Sequence, residues 1–186
     1  SQSYPSYGIL SPVHLTGNGD KPDPGFGHYA QIKQLDQLPD KDIQDIPFAN
    51  AAFWMIPVSV LKKAGGFCPL FYHYGEDKDF VNRLTYHHYQ VGYSPKVFGN
   101  HDREYRPVTH QGFLRTESVY HLSEYANIHY HWGKAFGLGV LAPVKKSLIA
   151  LCQGKTSLSL NYLRMALQLL GRSKEVCFYR KTNRMS

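Results

Sequence analysis

Cysteine is scarce in this chain of 186 residues: Cys68, Cys152 and Cys177 are the full set. An odd number at wide spacing, with no Cys-x-x-Cys pair, argues against a disulfide scaffold or a structural zinc site and for a reducing compartment. Long hydrophobic runs are missing too. No uncharged apolar stretch approaches the ~18 residues that a membrane-spanning helix needs, and no secretory leader is visible, so the chain is not expected to span a membrane itself. Internal repeats and low-complexity tracts are absent. Carboxylates are few where cations gather: residues 1–50 carry three Lys or Arg against six Asp or Glu, whereas residues 138–186 carry nine against one. The net charge of +7 is thus a property of the tail. No nucleic-acid-binding motif accompanies it, which argues against a nucleic-acid partner.

What is present predicts an α/β fold. Tyr7–Leu15 reads as a short strand, followed by a turn-rich loop with Gly17, Asn18, Gly19, Asp20, Pro22, Pro24 and Gly25. Residues 31–45 read as a loop with at most a short helix. Residues 48–56 are a near-continuous apolar run between Pro47 and Pro57, which predicts a buried strand. Residues 58–64 predict a short helix that ends at Gly65, where glycine takes a positive φ. Phe80, Val81 and Leu84 form an apolar stripe at helical spacing, and residues 90–93 predict a strand stopped by Pro95. Residues 117–134 predict a further helix. Pro143 then starts two basic amphipathic helices, at about 144–152 and 158–170.

The stretch YGEDKDF places Glu76, Asp77 and Asp79 at the mouth of a predicted helix over residues 78–84. Carboxylates there suit the helix macrodipole, so a capped helix start is one reading and a catalytic cluster another. A lone histidine, His101, lies 24 positions after Asp77. The other histidines read as ordinary surface residues. His129 and His131 are two apart and His87 and His88 adjacent, and such pairs do not face each other on a helix.

Read together, PFANAAFWMIPVSVLKKAGGF, LFYHYGEDKDFVNRL and YQVGYSPKVFGNHD resemble the C-terminal half of family 2 glycosyltransferases of the GT-A fold, of a rhamnosyltransferase-like kind. Asn50, Gly65-Gly66-Phe67, Glu76-Asp77, Asp79, Arg83-Leu84, Tyr89, Pro95 and His101 stand in the family's order. The resemblance is specific for residues 50–101 and looser for 8–48 and 120–137; Ala51 and Cys68 stand where the family usually has glycine and aspartate. It implies a partial GT-A (nucleotide-diphospho-sugar transferase) fold with a mixed sheet and C-terminal amphipathic helices. Residues 1–116 would be the acceptor-binding half and residues 117–186 a helical extension. The family's nucleotide-binding half carries an Asp-x-Asp metal motif. Asp40 with Asp42, and Asp77 with Asp79, have that spacing, but neither pair follows a buried strand as the motif would. With Ser1 as its first residue, the chain is expected to be the C-terminal piece of a longer enzyme.

The same resemblance implies roles. Asp77 would be the catalytic base of an inverting transfer, with Glu76, Asp79, Asn50 and Trp54 binding substrate. His101 would be a ligand for Mn²⁺ or Mg²⁺, a divalent metal held only in the complete enzyme. The donor would be a nucleotide sugar and the acceptor a glycan or a lipid-linked molecule, with the enzyme cytoplasmic and peripheral at the inner face of the cell membrane. The tail bears on that last point, because Lys145, Lys146, Lys155, Arg164, Arg172 and Lys174 border apolar runs. Basic amphipathic helices lie in the interface of anionic bilayers, although packing on the domain is a competing use of the same pattern. A reading of another class makes residues 138–186 a non-catalytic basic module that docks to a membrane or a protein partner.

Overall fold

The computed structural model describes residues 7–72, 74–102 and 109–185. The chain forms two compact units, one made of Ser1–Gly66 with His87–Arg106 and the other of Phe67–Tyr86 with Pro107–Ser186. The division expected after residue 116 falls within a helix, and the acidic segment belongs to the unit of the C-terminal helices rather than to that of the strands.

The first unit contains β1 (Tyr7–Leu15), α1 (Pro24–Ala30), β2 (Gln44–Asp45), α2 (Val58–Ala64) and β3 (Gln90–Asn100). Its three-stranded mixed sheet has the order β1-β3-β2, with β3 parallel to β1 and antiparallel to β2. Ile9 and Val13 of β1 and Val91 and Tyr93 of β3 are buried, together with Phe26 of α1 and Val60 and Ala64 of α2. β3 continues past the expected stop at Pro95. The pairing register steps from Pro12 with Ser94 to Val13 with Phe98, so Pro95, Lys96 and Val97 form a bulge. There the missing proline N–H costs no ladder bond.

Residues 48–56 do not form the expected strand. Ala51–Phe53 is a 3-10 turn, and only Met55 pairs, through an isolated antiparallel bridge to Leu10. Proline at 47 and 57 brackets the run, and the Trp54 indole donates to the Ala49 carbonyl at 3.1 Å, which folds the segment back on itself. Nor is the run buried as expected: Ala49 is buried, but Met55 is 68% exposed. α1 is an addition to the predicted elements: the Asp23 carboxylate accepts from the backbone N–H groups of Gly25 and Phe26, and Pro24 follows the cap. α2 ends as predicted, with Gly65 at φ 75°.

The second unit is helical: α3 (Glu76–Tyr86), α4 (His110–Ala126), α5 (Trp132–Phe136), α6 (Ala142–Cys152), α7 (Thr156–Gly171) and α8 (Ser173–Met185). The helix expected over 117–134 breaks after Ala126. Arg180 of α8 donates to the carbonyls of Tyr125, Asn127 and Tyr130, and Arg184 to those of Ile128 and Tyr130. Carbonyls satisfied by guanidinium groups no longer need an N–H one turn ahead, so the break costs little.

Pro143 stands in the first turn of α6, as expected, but the helix does not begin afresh there. α5 runs through a π turn, Gly137–Leu141, into α6, giving one continuous helix over Trp132–Cys152. The wide turn lies where a proline ring would otherwise crowd the preceding turn. By length and composition this helix could cross a membrane, because its cations are too few to outweigh the apolar residues. A third of its most apolar window is nevertheless buried inside the protein. The core of this unit surrounds the second half of α4, where Leu122, Tyr125 and Ala126 meet Ala135, Val140, Met165, Leu169 and Val176. α8 was not among the predicted elements, although Val176, Tyr179 and Arg180 bury one face at helical spacing.

Candidate functional site

The acidic cluster sits at the start of α3, as predicted, and the backbone before it is tightly specified. Tyr74 and Gly75 are both left-handed, with φ of 68° and 90°. A Cβ on Gly75 would stand 2.8 Å from Val119 Cγ1 and 2.9 Å from Phe71 Cδ1, so only glycine fits. That turn aims the next three carboxylates differently. Glu76 and Asp77 are partly exposed; Asp77 Oδ1 accepts from the backbone N–H of Lys78 at 2.7 Å. One oxygen of Glu76, Oε2, is buried and has no hydrogen-bond partner. Lys78 spans from this helix end to Glu124 of α4, at 3.2 Å.

Asp79 turns inward. Its Oδ2 accepts from Arg83 Nε at 3.0 Å and from the Tyr179 hydroxyl at 2.5 Å, and all three residues are buried. Burial pushes the Asp79 carboxyl above its ordinary value, against the pull of the Arg83 charge and the Tyr179 hydroxyl. Burial and the charge of Asp79 likewise push the neighbouring Cys68 thiol up to about 11, which makes it inert. With its carboxylate engaged in this way, Asp79 ties α3 to α8.

Asn50, Trp54 and His101 lie in the other unit. Asn50 precedes the Ala51–Phe53 turn and Trp54 follows it. Phe53, between them, packs on the His101 ring at 6.1 Å between centroids. His101 also meets His14 edge-on at 5.8 Å, and its backbone N–H donates to the Leu15 carbonyl at 2.8 Å. His14 escaped the sequence reading because a histidine inside a strand gives no periodic signal. It is wholly buried, shares a 2.8 Å hydrogen bond with the Ser11 hydroxyl, and stacks on Phe26. His101 therefore follows the end of β3 with its ring against an aromatic wall and part of its surface open.

A second polar cluster, also unforeseen, lies on α4. Glu117, His121 and Glu124 follow one another at i, i+4 and i+7, the spacing that puts side chains on one face. Glu117 takes hydrogen bonds from Lys146 of α6 and Tyr162 of α7. Burial raises its carboxyl, but these two donors and the lysine charge prevail and hold it below the ordinary value. His121 pairs Nδ1 with the Leu138 carbonyl at 2.7 Å, leaving Nε2 buried without a hydrogen bond. Burial lowers its pKa, so the neutral ring is the stable form.

Among the described residues no group of three or more His, Cys, Asp or Glu side chains could hold a metal ion. His101 can offer a single imidazole nitrogen, which fits one ligand position of a Mn²⁺ site and no more. No family model, no curated protein and no solved structure matches this chain.

Proposed function

We propose that this chain binds the acceptor and supplies the general base in an inverting glycosyl transfer from a nucleotide-diphosphate sugar, as the acceptor-binding half of a GT-A-type, family 2 enzyme. The observation that carries the reading is the helix start at Gly75. It sets a partly exposed Asp77 beside Glu76, whose buried Oε2 lacks a donor. A buried carboxylate oxygen without a partner is costly unless a ligand hydroxyl completes it, and a sugar acceptor brings such hydroxyls.

In this reading Glu76 accepts a hydrogen bond from one acceptor hydroxyl and orients the sugar. Asp77 takes the proton from the attacking hydroxyl. The oxygen adds to the anomeric carbon as the bond to the diphosphate breaks on the opposite face, and the configuration inverts. Asp79, Arg83 and Tyr179 hold α3 so that this geometry exists before substrate arrives. A divalent cation, bound in the complete enzyme, would stabilise the leaving diphosphate, with His101 as one ligand.

The test is Asp77→Asn in a protein that joins this chain to its donor-binding half. Transfer falls by ~10²–10⁴-fold, the usual cost of losing a general base, while nucleotide-sugar binding in equilibrium dialysis stays unchanged. Unaltered turnover would place the base elsewhere. The reading as a non-catalytic basic module is favoured by the exposed leucines of α6 and α7, and it predicts no transfer in either protein.

A further inference from the structure

Between Glu124 and Glu175 the chain has no carboxylate, whereas seven Lys and Arg stand there. The same stretch forms the α6–α7 hairpin, which exposes apolar side chains in an ordered way. α7 buries Ser159, Tyr162, Met165, Ala166 and Leu169. On its outward face Leu160, Leu163, Leu167 and Leu170 are 53%, 41%, 59% and 46% exposed. Spacings of three, four and three residues put these leucines in one stripe. On α6, Leu148 and Ile149 are 58% and 47% exposed. A helix packed on one side normally carries polar residues on the other, whereas the outward face of α7 is as apolar as its buried one.

The cations tell what covers the stripe. Lys145 lies one turn before Leu148 and Ile149, Lys155 lies in the turn between the helices, and Arg164 adjoins Leu163 on α7. All three are exposed, and none forms an ion pair with a described carboxylate. A second copy of this chain would set like charges near one another with no carboxylate of the hairpin to offset them. An anionic phospholipid surface supplies both an apolar boundary and phosphates. Crossing the bilayer is the poorer use of the Trp132–Cys152 helix, although at 1.5 Å per residue it is about 31 Å long. Lys146, paired with Glu117, lies six residues, about 9 Å, inside its C-terminal end, and the pair would have to enter hydrocarbon.

We propose that the α6–α7 hairpin lies in the interface of an anionic phospholipid bilayer, its exposed leucines in the acyl boundary and Lys145, Lys155 and Arg164 at the phosphates. This docking is independent of glycosyl transfer, and its test contains no sugar donor. The 186-residue chain is sedimented with phosphatidylcholine vesicles, with and without phosphatidylglycerol. Three cations at about fivefold each predict a preference on the order of a hundredfold for the anionic vesicles, shrinking as salt is raised. Leu163→Ser with Leu167→Ser lowers binding to anionic vesicles at least tenfold, on the order expected for two exposed leucines, with the far-ultraviolet circular dichroism and melting temperature unchanged. Lys145→Gln with Arg164→Gln narrows the gap between the two vesicle types. Equal binding to both vesicle types, or no binding to either, would overturn the proposal. So would a lipid-free dimer that Leu163→Ser with Leu167→Ser converts to a monomer, since the stripe would then be an interface between copies.

Discussion

Asp77 and Asp79 stand two positions apart and end in opposite environments, because two residues of α-helix turn the side chain by about 200°. The sequence makes half of this legible. Phe80, Val81 and Leu84 mark the inward face of α3, and Asp79 lies on it. What stays hidden is how a carboxylate and a guanidinium can both be buried there. Arg83 is only 2% exposed, and the Tyr179 hydroxyl that completes the pair comes from 100 residues later. No local pattern announces a partner at that distance. His121 was unreadable for the same reason, since its surroundings come from α4, α6 and the π turn. Its behaviour with pH follows from them. The fold favours the neutral ring, so below the ordinary value of 6.5 the unfolded chain takes up a proton that the folded chain resists. Stability is full above that value and falls as pH drops below it. Glu117 and Glu124 on α4 and Lys146 on α6 face the ring; the lowered Glu117 stays charged throughout this window. The urea midpoint therefore decreases from pH 7.5 to 5.5 in the native chain and decreases less in His121→Asn. An equal decrease in both would assign the titration to another group.

At the scale of elements, local chemistry marked some ends, such as the start of α3 and the end of α2, and missed others, such as the start of α4 at His110 and the whole of α8. The acidic first turn of α3, the glycine end of α2 and the start of β1 were all legible, since each depends on residues within one turn of itself. Pro95, expected to stop a strand, and Pro143, expected to start a helix, both lie inside longer elements. Pro95 sits in a bulge whose extra residues come from pairing with β1, and Pro143 follows a π turn that the packing of α4 accommodates. Gly139 reports that packing directly. A Cβ added there would lie 2.4 Å from Tyr125 Cβ and 3.1 Å from its Cα, which is backbone and cannot swing aside. Gly139→Ala should therefore destabilise the chain by about 1–3 kcal/mol by overpacking, although alanine is the better helix former. Thermal melting checks this: Gly137→Ala, at a position with open space around its Cβ, should melt at or above the native temperature.

At the scale of the whole molecule, the chain divides into two units that interleave in sequence, and each contains one of its two tryptophans, Trp54 and Trp132. This permits a separate reading of each. Arg83→Ala leaves the Asp79 carboxylate buried without its cation, a change that costs about 3–5 kcal/mol at buried pairs. In a Trp54→Phe background, Trp132 fluorescence should show the urea midpoint of the helical unit falling. In a Trp132→Phe background the Trp54 midpoint should move much less, because the pair lies wholly in the other unit. Equal shifts in both would show that the two units unfold as one.

The sequence by itself determined what short-range chemistry controls: an α/β mixture, the helix behind the acidic cluster, the glycine turns and the basic, carboxylate-poor tail. Caps, turns and helical periodicity act over a few residues, and a few residues carry them. The tertiary structure decided the rest. It folded an apolar run between two prolines into a 3-10 turn, buried Asp79 with Arg83 and Tyr179, and broke a helix where Arg180 and Arg184 reach its carbonyls. It also turned one face of the leucines in α7 outward. An amphipathic pattern states that a helix has two faces, and only the neighbours packed against it determine which of its apolar side chains remain in contact with solvent.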